Sequence, residues 1–330
     1  MTSISIIGAG AWGSALAQLL AGANTPITLW TRFEDHACEI NAQNENKRYL
    51  GGYPLSPHIN ATSDLKTALK GEIILMVTPT QALRTILHEM KPNISKHHKL
   101  VLCSKGIEQE TAKLTTEILG EIITNISVSV MSGPNFATDI ADGKPAATTL
   151  ACSGTENDAS VIQAAITRPT FRPYLSDDII GTQLAGALKN VIAIACGIAH
   201  GREMGQSACA SLVTRGLLEI SRLGIAMGGR QETFMGLCGV GDMMLTCTSH
   251  TSRNFSLGYE LGRGTPLNDI LKSRNTVAEG VHTAKSATLL SNRYRVDMPI
   301  STAVYKCLYD GLSLDDIMQD MLNRPVGREL

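Results

Sequence analysis

The chain has 330 residues, with 29 Lys and Arg against 30 Asp and Glu, for a formal net charge of −1. That balance gives neither a basic footprint for nucleic acid nor a polybasic membrane anchor. No apolar run approaches the ~20 residues of a membrane span; the longest, Val191 to Ala199, has Lys189 before it and His200 behind. Single cores rarely grow past ~250–300 residues, so the length predicts two domains.

The first predicted strand, Ile4-Ser5-Ile6-Ile7, leads into Gly8-Ala9-Gly10-Ala11-Trp12-Gly13, and Ser14 to Leu20 reads as a helix. Strand, G-x-G-x-x-G, helix is the dinucleotide-binding arrangement. Gly8 permits the turn off the strand, Gly10 lets a pyrophosphate approach the backbone, and Gly13 lets helix and strand pack closely. The helix N-terminus offers N–H groups and a positive dipole end to the phosphates. A second strand, Pro26 to Trp30, is followed by Thr31-Arg32 rather than by the acid that would hold a ribose 2′-OH. Arg32 is either a partner for a 2′-phosphate or a solvated arginine. NADP(H) is therefore permitted and NAD(H) stays open.

A polar helix passes through Glu39-Ile40-Asn41, and a Gly/Pro-rich loop covers 49–54. Ile73 to Val77 reads as a strand buried on both faces, with a helix from about Gln81 to Met90. Leu100 to Cys103 is the next strand, and Thr111 to Leu119 is expected to be helical. Further strands are read at Ile126–Val130, Ala147–Ala151 and Phe171–Leu175, the last two separated by a helix. From about residue 178 the pattern is helical throughout. Leu184, Leu188, Val191, Ile192 and Ala195 recur at helical spacing; Val213, Leu217 and Ile220 repeat it, with Gly224 expected to stop that helix. Further helices are expected near 254–262, 281–292, 300–309 and 313–322. The fold class is α/β: an N-terminal Rossmann-like doubly wound sheet over 1–180, then an all-helical C-terminal domain over 181–330 for substrate binding and dimerisation.

The eight cysteines show neither C-x-x-C nor metal-ligand spacing with the histidines. Buried free thiols and a reducing cytoplasmic location are expected, with no metal site. A strand beginning at about residue 3 leaves no room for a signal peptide.

Four constellations carry candidate chemistry. Cys103-Ser104-Lys105-Gly106 lies at the carboxyl end of a predicted strand, where open α/β sheets bind ligands. Ser132-Gly133-Pro134-Asn135-Phe136-Ala137 follows another strand and could hold a phosphate or form a plain turn. Gly186-Ala187-Leu188-Lys189-Asn190 sets a lysine among apolar neighbours, where its charged form is disfavoured and it could serve as a general base. The alternative is a lysine on the polar stripe of a helix. Finally, Gly239-Val240-Gly241-Asp242 leads through Leu245-Thr246-Cys247-Thr248 to Ser252-Arg253-Asn254, a set suited to a small phosphate.

These segments, with Val277-Ala278-Glu279-Gly280, occur in one order over nearly the whole chain, and together they resemble the bacterial-type NAD(P)-dependent glycerol-3-phosphate dehydrogenases. The resemblance implies that Lys189 is the proton acceptor. It places Lys105, Gly133, Asn135, Lys189, Asp242, Ser252, Arg253 and Asn254 against glycerol 3-phosphate or dihydroxyacetone phosphate. It assigns Gly8, Gly10, Trp12, Gly13, Arg32, Lys105, Ala137, Arg253, Val277 and Glu279 to the dinucleotide. It also implies a cytoplasmic homodimer that supplies glycerophospholipid synthesis, without nucleic-acid or membrane partners and without a metal. The chain departs from the family pattern at Asn135, where Thr or Ser is common, and at His200, where an acid is usual. Two other readings share the glycine loop: a lysine-based 6-phosphogluconate or β-hydroxyacid dehydrogenase, and a non-catalytic NAD(P)H sensor. The first would need another substrate loop than Arg253-Asn254, and the second would not need Lys105, Lys189 and Asp242 together.

Overall fold

The computed structural model describes residues 3–274 and 278–326. Two compact units result: 1–105 with 113–183, and 106–112 with 184–330.

The first unit is built on one eight-stranded sheet in the order β3-β2-β1-β4-β5-β6-β7-β8. Its strands are β1 (Ile4–Ile7), β2 (Ile27–Trp30), β3 (Ile59–Thr62), β4 (Ile73–Met76), β5 (Lys99–Leu102), β6 (Ser127–Ser132), β7 (Ala146–Cys152) and β8 (Phe171–Ser176). β1 lies between β2 and β4, with Ile4 opposite both Ile27 and Ile73. The strand order reverses there, so the turn after β1 opens at a topological switch point, where α/β sheets bind ligands. Every pairing is parallel except β6 with β7.

Strand alternation divides the apolar side chains between two faces. Ile4 and Ile6 face one layer, with Leu16 and Leu20 of α1 (Ala11–Leu20) and Ile40 of α2 (Glu34–Gln43). Ile7, Ile74 and Met76 face the other, with Leu83, Ile86, Leu87 and Met90 of α3 (Thr80–Met90). Each such side chain contributes about 1.5–3 kcal/mol on burial. Further helices here include α4 (Thr115–Ile122), the short α5 (Ala137–Ala141) and α6 (Glu156–Ile166).

Local chemistry moved several expected boundaries. β3 was not anticipated; Ile59 and Ala61 give it only two buried apolar positions. The helix expected from Thr111 starts at Thr115, because Ala112 takes a left-handed conformation (φ 55°). Gln183 then fixes that start, its Oε1 accepting from Thr115 Oγ1 (2.8 Å) and Thr116 N (3.0 Å).

The second unit is helical: α7 (Ile179–Gly201, whose first turn belongs to the first unit), α8 (Gln206–Ala226), α9 (Asp242–Cys247), α10 (Arg253–Gly262), α11 (Glu279–Tyr294), α12 (Pro299–Tyr305) and α13 (Leu314–Leu322). α7 is apolar and long enough to cross a bilayer, but most of it is buried inside the protein. Its Val191 and Ile194 pack with Leu257, Leu261, Ala284 and Val304 from α10, α11 and α12. Gly224 does not stop α8, contrary to expectation. Its missing Cβ admits the Phe234 ring, whose Cζ lies 2.0 Å from where that atom would stand. The helix ends at Ala226, with Met227 as its cap, ahead of Gly228 at φ 96°.

α7 and α10 cross almost backbone to backbone. A Cβ on Gly197 would lie 2.1 Å from the Phe255 carbonyl oxygen, and one on Gly258 would lie 2.0 Å from that of Ile194. The obstacles are main-chain atoms, which cannot rotate away. Gly258→Ala should therefore lower stability by about 1–3 kcal/mol, the usual cost of overpacking. A thermal or urea melt checks this, and an unchanged midpoint would refute the close crossing.

Glu219 of α8 is 3% exposed. Its carboxylate accepts from Ile300 N (2.7 Å), Ser301 N (3.1 Å) and Ser301 Oγ (3.1 Å), capping α12. Burial pushes its pKa up from 4.5 to about 7, and those three hydrogen bonds only partly oppose the shift. Between those values the folded chain holds a proton that the unfolded chain releases. This group's stabilisation is therefore complete below about pH 4.5 and is lost as pH rises through 7, by an upper figure of about 3 kcal/mol. Wild type should lose more stability between pH 5 and 8 than Glu219→Gln does. Parallel pH profiles for the two proteins would overturn this assignment.

Candidate active site

The glycine turn of the first unit is shaped as its sequence requires. Gly8 has φ 122°, and a Cβ there would sit 2.6 Å from the Val77 carbonyl oxygen. A Cβ on Gly13 would strike the Gly8 carbonyl oxygen at 1.9 Å. Gly10 differs: nothing lies within 4 Å of its Cβ position. The first-turn N–H groups of α1 have no intrahelical partner, and Gly10 supplies no side-chain cap. Open space above unpaired N–H groups at a positive helix end fits a pyrophosphate.

A buried polar chain that was not legible in the sequence holds this turn. Asn46 donates from Nδ2 to the Ala9 carbonyl oxygen (2.8 Å) and to Ser14 Oγ (2.7 Å). Its Oδ1 meets His36 Nε2 at 2.9 Å, and His36 Nδ1 meets Thr31 Oγ1 at 2.9 Å. The glycine turn is thereby tied to the end of β2, one residue before Arg32. Arg32 itself is exposed, with Nη2 4.0 Å from Glu89 Oε1. Trp12 and Ala137 are partly buried against the same apolar layer. α1 also packs on α5, the helix that follows the Gly133-Pro134-Asn135 turn.

Lys105 follows β5 and donates from Nζ to the Gly133 carbonyl oxygen at 2.8 Å. Gly133 has no room for a side chain, since a Cβ would lie 2.9 Å from Thr148 Cα. Asn135 Oδ1 is buried without a hydrogen-bond partner among the described residues. Such an acceptor suits a ligand donor, because leaving it unsatisfied costs about 1–3 kcal/mol.

In the second unit the predicted lysine is 5% exposed, and its surroundings correct the apolar environment expected for it. Lys189 Nζ lies 2.6 Å from Asp242 Oδ1 and 2.6 Å from Thr246 Oγ1. Asp242 is 1% exposed, so the pair is buried and hydrogen-bonded. Asp242 and Thr246 stand four apart on α9, on one helical face directed at α7. Asp242 was expected here from the resemblance; Thr246, in the same Leu245-Thr246-Cys247-Thr248 segment, carried no expected role, and no helix was expected over α9. The i, i+4 spacing was the available signal.

Asn190, next to the lysine, was also passed over. Its Oδ1 accepts from Asn254 Nδ2 at 2.9 Å, and Asn254 Oδ1 accepts from Gly280 N at 3.0 Å. These bonds link α7, α10 and the start of α11 beside Lys189. Ser252 caps α10 through Phe255 N (3.2 Å), leaving Arg253 on the first turn of that helix. Desolvation pulls the Arg253 pKa down, and the Glu279 carboxylate opposes the shift. Val277 lies outside the described residues.

Comparisons with known proteins agree along the whole chain. Residues 3–158 match the family model for the NAD-dependent glycerol-3-phosphate dehydrogenase N-terminus, and residues 178–319 match that for its C-terminus. A glycerol-3-phosphate dehydrogenase (NAD(P)+) of Parvibaculum lavamentivorans is 46% identical over 326 residues, covering 99% of this chain and 98% of the relative. One from Rhodospirillum rubrum is 44% identical over 327 residues, covering 99% and 93%. The crystal structure of glycerol-3-phosphate dehydrogenase from Coxiella burnetii superposes with a TM-score of 0.94 at 35% identity, covering 98% of this chain and 99% of that one. The chain therefore belongs to the NAD-dependent glycerol-3-phosphate dehydrogenase family, a family of oxidoreductases that use a nicotinamide dinucleotide.

Proposed function

We propose that the chain interconverts dihydroxyacetone phosphate and sn-glycerol 3-phosphate, with Lys189 moving the proton. The observation that carries this reading is the buried Lys189 amine, held at 2.6 Å by both Asp242 and Thr246. When bound, the nicotinamide accepts or returns hydride at the alcohol carbon. In the reducing direction the Lys189 ammonium gives a proton from Nζ to the developing alkoxide and is left as the neutral amine; in the oxidising direction that neutral amine takes the hydroxyl proton and becomes the ammonium. Asp242 and Thr246 orient the amine. Ser252, Arg253 and Asn254 grip the phosphate, since a guanidinium fork can bond two of its oxygens at once. Lys105, Gly133 and Asn135 complete the substrate contacts.

The glycine turn, Trp12, Ala137, Lys105, Arg253, Val277 and Glu279 hold the dinucleotide in this reading. Arg32 takes the 2′-phosphate of NADP(H), and NAD(H) binds without that contact. A cytoplasmic homodimer serving phospholipid synthesis completes it. Exposed apolar side chains on the second unit, among them Ile225, Met235 and Leu271, support association through that unit.

Lys189→Ala should lower turnover by ~10²–10⁴-fold, the typical contribution of a positioned general base, with dinucleotide binding kept. Lys189→Arg should fail as well, because arginine does not deprotonate in proteins. NADPH and NADH oxidation with dihydroxyacetone phosphate as sole acceptor measures both variants. Near-normal turnover in either would remove Lys189 from the chemistry.

Arg253→Ala should weaken dihydroxyacetone phosphate by at least ~10-fold, because a charge-assisted contact is worth about 1.5–3 kcal/mol. Unphosphorylated dihydroxyacetone should be a poor substrate for wild type, at a rate the mutation changes little. Steady-state KM values for the two acceptors decide; equal use of both by wild type contradicts a phosphate grip.

A further inference from the structure

The helical unit bears an open cleft of about 800 Å3 whose lining includes none of the residues assigned above to substrate or dinucleotide. Its walls are apolar, with Ile198 of α7, Leu212 of α8, Ile300 and Val304 of α12, and Ile317 and Met318 of α13. Met204 and Met321 add further thioether side chains. Unbranched, polarisable methionines adapt to an irregular or flexible occupant. A volume in the range of small-molecule sites, with apolar walls and few polar groups, is the usual form of a ligand pocket.

The polar groups are unevenly distributed. Arg215, Glu219 and Arg222 line the cavity from one face of α8, at the i, i+4, i+7 spacing. Glu219 is buried, and its oxygens are engaged by Ile300 N, Ser301 N and Ser301 Oγ. Both arginines are exposed, so their guanidiniums belong to the rim. Arg324 lies there too and pairs with Asp297. The described lining thus carries three guanidiniums, of Arg215, Arg222 and Arg324, against the carboxyl groups of Glu219 and Asp297. An apolar interior under a cationic rim is complementary to a chain with one anionic end.

We propose that this cavity binds a single-chain amphiphile with a carboxylate head, a long-chain fatty acid, its chain among the methionines and its head at Arg215 and Arg222. The site is independent of the reaction proposed above, so its test needs no turnover.

A dansyl-labelled fatty acid is titrated into the full chain below its micelle concentration. It is then competed with palmitate, with hexadecanol and with a cetyltrimethylammonium cation. Saturable binding is expected, with palmitate competing at least ~10-fold better than the cationic or uncharged chain. Arg222→Glu should weaken the probe by at least ~10-fold, and Ala303→Trp, which puts a large ring into the cleft, should weaken it as well. A readout on the unmodified chain keeps the test decisive if the tryptophan variant does not fold. Cys307 lines the cavity and Cys38 is exposed in the other unit. Palmitate should slow alkylation of Cys307 and leave that of Cys38 unchanged. The proposal is overturned by a lack of saturable binding, by equal competition from the cationic chain, or by an unprotected Cys307. It is equally overturned if light scattering shows that wild type is a dimer which Arg222→Glu dissociates while palmitate fails to bind, since a second copy would then be the occupant.

Discussion

A buried ammonium must have a partner, and the helical unit is arranged around that requirement. Lys189 and Asp242 are both almost wholly removed from water. Taking either charge into the interior costs several kcal/mol, and only a well-made pair with further hydrogen bonds offsets this. Thr246 supplies one such bond, and its Oγ1 also lies 3.4 Å from Asp242 Oδ1. The pair therefore requires α9 to present one particular face to α7. An ion pair of this kind contributes little net stability. Its value lies in fixing one amine at one place with one orientation.

What holds α7 itself is a second constraint, close approach of main chains. Gly197 and Gly258 let α7 and α10 meet with carbonyl oxygens where a Cβ would otherwise stand. Asn190 and Asn254 can reach each other because the helices are this near. Gly280 repeats the device at the start of α11, where a Cβ would lie 2.6 Å from the Asn190 carbonyl oxygen. The absence of side-chain atoms at these glycines thus places Lys189, Asn190, Asn254 and Arg253 within one small region of the second unit.

In the first unit the order of constraints is different. The sheet places the glycine turn at its switch point, and the turn is then fixed by a hydrogen-bond chain through Asn46, His36 and Thr31. All three are buried, so each donor and acceptor must be matched within the protein. The carbonyl of Ala9 is held by a residue 37 positions away. A turn whose following N–H groups have no intrahelical partner is not held by its own backbone, so a distant side chain does the holding.

Much of this was legible in the residues. Continuous apolar runs such as Ile73 to Val77 gave the buried parallel strands, and 3.6-residue spacing through Leu184, Leu188 and Val191 gave α7, because these periods follow from backbone geometry alone. The glycine loop was readable because its G-x-G-x-x-G spacing follows directly on a strand, and the ordered motifs named the family. β3 was missed because it is short and half exposed at the sheet edge. α9 was missed because Gly239 and Gly241 suggested a loop and its helical pattern spans only six residues. Gly224 misled because a glycine that ends a helix and one that admits a neighbouring ring look the same in one dimension. The residues alone carried the alternation of strand and helix, the glycine turn after β1 and the ordered motifs of the family. Only the tertiary structure decided that Lys189 faces a carboxylate and a hydroxyl 53 and 57 residues away, and that Asn46 holds the glycine turn. Those are contacts between side chains on separate elements, set by how faces pack, and no local period encodes them.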